Sequence, residues 1–114
     1  MVTIDDVRAV TADLPRSYEV LVRDRVKFRV GRIVYLAFSR DETQMGLGFP
    51  KEQRAAALEA EPHKFLPPSK ADERYQWIEC RLDALDFEEM RELVLDAWTM
   101  CVPKSVAKAY FEGD

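Results

Sequence analysis

Within residues 16–32, six cationic side chains (Arg16, Arg23, Arg25, Lys27, Arg29 and Arg32) stand against two carboxylates, Glu19 and Asp24, a local balance of +4. Arg25, Lys27 and Arg29 recur every second residue and alternate with Val26, Phe28 and Val30. On a strand that spacing sends the three cations to one wet sheet face and the three apolar side chains to the other. Cations in a row neutralise phosphates, and aromatic rings beside them stack on bases or support arginine, so the chemistry on offer is contact with nucleic acid. Tyr75, Trp77 and Arg81 join that face if the strand carrying them enters the same sheet. A solvated sheet face, with arginine stems lying over Trp77, is the plainer reading of the same residues.

Other chemistries find less support. His63 is the sole histidine and has no cysteine nearby, whereas zinc sites usually need four ligands at defined spacing. Cys80 and Cys101 form no CxxC and fall on expected core faces, and Ser17, Ser39, Ser69 and Ser105 lie in no nucleophile elbow. Gly46-Leu47-Gly48 lacks the third glycine and the following Lys-Ser/Thr of a phosphate loop, and sits in strand-like alternation. Met45, Met90 and Met100 read as core fillers. The acidic sets Asp5, Asp6, Asp13 and Glu88, Glu89, Glu92, Asp96 read as helix capping and solvation. The expectation is therefore no enzyme, no catalytic residue, no metal, no cofactor and no small-molecule substrate.

The positioning elements follow from periodicity and caps. Thr3 and Asp6 form an acidic capping box for a helix over about Ile4 to Asp13, with Val7, Val10 and Leu14 on one stripe and Pro15 as the stop. From Tyr18 to Phe49 the period becomes two. Val26–Val30 and Ile33–Phe38 read as a hairpin about Gly31-Arg32, the second strand apolar on both faces and so central. A further strand carries Met45, Leu47 and Phe49. Pro50 opens a helix over Lys51–Ala60, and His63 to Glu73, with Pro67-Pro68, reads as loop anchored by Phe65 and Leu66. Tyr75 to Leu82 alternates as a strand. Asp86 as N-cap, Glu89 three residues on and a Leu85–Met90 staple start a helix that runs to about Cys101. Its apolar stripe is Phe87, Met90, Leu93, Val94, Ala97, Trp98 and Cys101. A short final helix covers Lys104 to Phe111.

With 114 residues, 47% hydrophobic and 33% charged, the chain is long enough for a single domain over residues 1–114. No apolar run reaches the roughly 20 residues of a membrane helix, and the N-terminus lacks the pattern of a signal peptide. A cytoplasmic location with both thiols reduced is expected. Net charge is −4, and residues 72–114 carry five basic against eleven acidic groups, so the molecule is dipolar.

In order and spacing, Asp13-Leu14-Pro15, the hairpin Val26 to Leu36, Tyr75-Gln76-Trp77-Ile78 and Leu93-Val94-Leu95-Asp96-Ala97-Trp98 resemble the MmcQ/YjbR-like family over nearly the whole chain. The resemblance implies an α+β domain of CyaY-like (frataxin-like) arrangement, an antiparallel sheet with helices packed on one face, and a DNA-binding role by analogy with a double-wing sheet. Lys27, Arg29, Arg32 and Trp77 match the family's pattern. The first helix carries only Asp5, Asp6 and Asp13, so the acidic iron ridge of frataxins is not implied. The expected function is weak, non-sequence-specific nucleic-acid contact, with Arg25, Lys27, Arg29 and Arg32 on phosphates, Trp77 as support or stacking platform, and Arg23 and Arg81 as further nucleic-acid-binding residues. Its alternative is a protein-interaction or homodimerising module using the open sheet face or the final helix, with Tyr110 and Phe111 as exposed anchors. The expected core is Val7, Val10, Phe28, Leu36, Phe38, Ile78, Leu93 and Trp98.

Overall fold

The structure, a computed structural model, describes Met1–Gly113. Helix α1 spans Ile4–Thr11, and Thr3 and Asp6 close the capping box at its start: the Thr3 amide donates to Asp6 Oδ2 at 2.9 Å, and the Asp6 amide to Thr3 Oγ1 at 3.3 Å. It ends short of the expected Asp13 because the Leu14 amide turns back to the Thr11 carbonyl, dropping Leu14 into the core.

Six strands follow: β1 (Ser17–Val22), β2 (Arg25–Val30), β3 (Ile33–Phe38), β4 (Gln44–Gly48), β5 (Phe65–Leu66) and β6 (Trp77–Arg81), forming one antiparallel sheet in the order β1-β2-β3-β4-β6-β5. β3 is central, as its two apolar faces require. β1 and β5 extend the expected set of strands. β1 joins β2 through Arg23-Asp24, both at positive φ (52° and 67°), the two-residue turn whose twist suits a hairpin. β6 is shorter than expected, because Leu82 enters a single 3-10 turn and Tyr75 lies in the preceding loop.

Helix α2 (Lys51–Ala60) lies beside β5 and β6, while α1 packs on α3 (Phe87–Thr99), which in turn covers β3 and β4. The Asp86–Glu89 capping box and the buried Leu85–Met90 pair begin α3 as its sequence requires. Phe28, Leu36, Leu47 and Ile78 are partners across four strands, and Phe38, Met45, Cys80 and Phe65 form a second row on the same inner face. Val7, Met90, Val94 and Trp98 close over them, each large side chain contributing roughly 1.5–3 kcal/mol by burial. Two positions of the expected α3 stripe lie nearer the surface: Leu93, an expected core residue, is half-buried and Phe87 is 42% exposed, while Leu95 turns fully inward. Helix α4 (Lys104–Phe111) folds back on α3, where Tyr110 meets the Trp98 ring edge-on at 5.2 Å between centroids. Tyr110 is thus half-buried, in place of the expected exposed anchor, and Phe111 alone remains open at 55%.

A register shift between Phe28 and Arg29 leaves Tyr35 as an extra residue in β3. Its ring enters the core and its hydroxyl meets Ser17 Oγ at 2.6 Å; burial pushes the phenol up to about 12. Arg29 still pairs with Val34 on the opposite face, so Phe28 and Arg29 lie on opposite sides of the sheet.

Candidate functional site

The outer sheet face, away from α1 and α3, is built on a cross-strand row: Lys27 on β2, Ala37 on β3, Gly46 on β4, Glu79 on β6 and Leu66 on β5. Strands lie about 4.8 Å apart, so Lys27 and Glu79 stand about 14 Å from one another with only Ala37 and Gly46 between them. Small side chains between tall ones make a trough. The loop after β5 forms its far rim, held by hydrogen bonds from the Arg54 guanidinium to the carbonyls of Glu73, Tyr75 and Trp77 and by Ser69 Oγ to Asp72 Oδ2 at 3.0 Å. The expected partly open face is therefore a cleft of about 370 Å³, floored by Val34 and Ala37 and walled by Arg25 and Lys27 on one side and Trp77 and Glu79 on the other.

Arg25, Lys27 and Arg29 stand on this face as period two requires, all half-buried. Alternate residues rise about 6.8 Å along the strand. Arg25 Nε donates to the Phe38 carbonyl at 2.9 Å, which fixes its stem, and Arg29 Nε is buried with no hydrogen-bond partner. Arg23 and Arg32 are exposed in the turns at opposite ends of β2. Among the described residues, none of these five cations has a carboxylate within 4.0 Å, whereas Arg8 bridges Asp5 and Glu19, and Lys64 bridges Glu61 and Glu89.

The Trp77 indole packs against Gly46: a Cβ there would approach its Nε1 and Cζ2 to 2.7 Å and Glu79 Oε2 to 2.5 Å. The indole Nε1 donates to Glu79 Oε2 at 2.8 Å. Burial holds the Glu79 carboxyl above the usual carboxylate range and nearby Asp72 adds to the effect, while the Trp77 hydrogen bond and Arg25 oppose it. Tyr75 sits on the rim, 52% exposed, with the Arg74 guanidinium 4.8 Å from its ring centroid. Arg81 shares the face but donates to the carbonyls of His63 (3.0 Å) and Pro62 (3.4 Å), so its guanidinium ties down the loop before β5.

The structure thus brings Arg25, Lys27 and Trp77 to one cleft, places Arg29 at the end of their row, sets Arg23 and Arg32 at its two tips and engages Arg81 elsewhere. Sequence reasoning assigned no role to Glu79, although its alternation with Trp77 places it on this face. It assigned none to Asp72, whose position depends on a loop path that no local pattern encodes. Among the described residues, no three His, Cys, Asp or Glu side chains converge to hold a metal ion, and no helix is long and apolar enough to cross a membrane. Cys80 is fully buried, its thiol pushed up to about 12 by that burial, and Cys101 is half-buried and also raised.

The family model described as YjbR matches residues 12–100, a span that contains the whole outer face and α3. No curated protein matches the chain. A crystal structure of Deinococcus radiodurans protein DR2400, domain DUF419, superposes with a TM-score of 0.78 at 24% identity, covering 98% of this chain and 87% of that one, and shows the same fold. With well over half its length matched by that model, the chain belongs to the YjbR family.

Proposed function

We propose that this domain binds DNA weakly and without sequence specificity, through phosphate contacts to Arg25, Lys27 and Arg29 and to Arg23 and Arg32 at the ends of the row, and that it carries out no catalysis. The observation that carries this reading is the row of cations on β2 and its turns without carboxylate partners among the described residues, in a chain whose net charge is −4. Cations left unpaired beside a cleft are available to an anionic partner at little desolvation cost. Glu79 and Asp72 on the opposite wall repel phosphate, so the backbone keeps to the β2 side and affinity stays low. The high thiol pKa of Cys80 argues against a cysteine nucleophile, and the two free thiols suit a reducing cytoplasm.

With three or four phosphates neutralised, log K falls with log[salt] at a slope of roughly −2 to −3 for a single strand and −3 to −4 for a duplex. The test is fluorescence anisotropy with labelled single-stranded and duplex DNA at low salt, comparing wild type with Arg25→Glu/Lys27→Glu/Arg29→Glu. Lys27→Glu and Arg32→Glu serve as milder variants whose fold is checked by circular dichroism. The reading predicts loss of binding in the triple variant and a stepwise loss in the single ones. Equal binding by folded variants and wild type refutes it.

Self-association has one observation in its favour. β1 is a free sheet edge, and its Leu21 is 70% exposed, the pattern of a strand able to pair with a second copy. Light scattering across a wide concentration range tests it, with Leu21→Lys as the disrupting variant.

A further inference from the structure

We infer that the outer-face cleft receives one unpaired base of the bound DNA strand, with Trp77 and Tyr75 as its aromatic walls and Glu79 as a hydrogen-bond acceptor that favours bases carrying an exocyclic amino group. The inference rests on the DNA-contact reading and adds what occupies the cleft. Its size comes first: about 370 Å³ lies at the lower end of the 300–1,000 Å³ usual for small-ligand sites, room for one planar ring and its sugar. Asp72, Tyr75 and Gln76 from the loop before β6 line the same cleft as Trp77, and a ring enters a cleft walled on both sides when its base is unstacked and splayed out of a single strand. Charge placement gives the orientation. Arg25 and Lys27 hold the phosphate side of the cleft, and the carboxylates of Glu79 and Asp72 exclude phosphate from the other, which leaves the uncharged base to enter there.

Glu79 is set for recognition by its neighbours. Trp77 Nε1 holds Oε2 at 2.8 Å, which fixes the carboxylate's position, and among the described residues Oε1 takes no hydrogen bond. A carboxylate accepts from the cytosine N4 amine, whereas thymine presents the acceptor O4 at the corresponding position. The indole is set by two neighbours, its Nε1 bond to Glu79 and the Gly46 position, where a Cβ would come within 2.7 Å of Nε1 and Cζ2, so the ring is positioned before any base stacks against it.

The pyrimidine pair isolates the amino group. Wild type is titrated with short oligo-dC and oligo-dT of equal length, alongside Glu79→Gln, which retains an acceptor for Trp77 Nε1 but adds an amide donor that suits thymine O4. The expected result is oligo-dC binding about three- to tenfold tighter than oligo-dT, the scale of one partly solvated charge-assisted hydrogen bond, with the ratio falling to about one in Glu79→Gln as oligo-dT affinity holds or rises. Titration with dCMP, followed by the indole N–H resonances, is expected to move the Trp77 signal and leave the buried Trp98 signal in place. Equal affinity of wild type for the two oligonucleotides, or a preference that survives Glu79→Gln, overturns the base cleft while the phosphate reading stands. Absence of binding to any strand overturns both.

Discussion

Replacing Gly46 by alanine probes the packing on which the candidate site depends. Gly46 has an ordinary strand backbone, so alanine meets no conformational penalty there, and loss of glycine's extra chain freedom favours the variant by about 0.5–1 kcal/mol. Against that, the new methyl group lies 2.7 Å from two atoms of the Trp77 indole and 2.5 Å from Glu79 Oε2. Optimal carbon contacts begin near 3.5 Å, so the indole must retreat by about 0.8 Å and the carboxylate by about 1 Å. Inserting a methyl group into a packed position costs about 1–3 kcal/mol. The net expectation is a loss of about 1 kcal/mol, a drop of roughly 4 °C in Tm for a domain of this size, together with displacement of the Trp77 N–H resonance as its bond to Glu79 breaks. Gly48→Ala is the internal control, because a Cβ there meets Ala97 at an ordinary 3.6 Å, and it is expected to be neutral or slightly stabilising. Thermal denaturation and a proton–nitrogen correlation spectrum read both effects. If Gly46→Ala keeps the wild-type Tm and an unmoved Trp77 N–H signal, the indole does not pack against Gly46 and the geometry of the cleft is refuted.

Along α3, Met90→Ala is expected to destabilise by about 2–5 kcal/mol and the half-buried Leu93→Ala by about half that, in denaturant titration; reversal of the order would reject the helix rotation described. Glu79 is held above its usual range by burial, so between the ordinary carboxylate pKa and the raised folded one the folded state keeps a proton that the unfolded chain releases. Its contribution to stability is present below the ordinary carboxylate pKa and is lost as pH rises through the raised folded value. Glu79→Gln should therefore gain stability over wild type at neutral pH and lose that advantage in acid, as followed by Tm against pH. Thiol labelling of the native protein should modify Cys101 well before Cys80, whose reaction waits on unfolding; equal rates would contradict the burial of Cys80.

Local chemistry along the chain determined much of this protein before any tertiary contact is considered. The Thr3–Asp6 and Asp86–Glu89 capping boxes, the prolines after α1 and before α2 and α4, and the alternation of Val26, Phe28 and Val30 with Arg25, Lys27 and Arg29 each act within a few residues, so they read directly as helix starts, helix stops and a one-sided strand. The YjbR family model matches residues 12–100, the span that holds the six strands and α3. Tertiary structure decided whatever depends on partners distant in sequence. β1 forms because β2 offers it an edge, and Arg23-Asp24 accepts positive φ to close the hairpin although neither residue is glycine. Leu93 lies half out because the rotation of α3 is set by how Trp98 seats against Pro15 and Tyr110, and a stripe wider than the contact cannot be fully covered. Tyr110 is withdrawn from the surface by the same contact. The site follows this division. Period two alone put three cations on one face, but the cleft exists only because β6 inserts between β4 and β5, packing Trp77 against Gly46 and setting Glu79 three strands from Lys27. Strand order is a long-range choice, governed by which faces bury most apolar surface together, and no window of a few residues contains it.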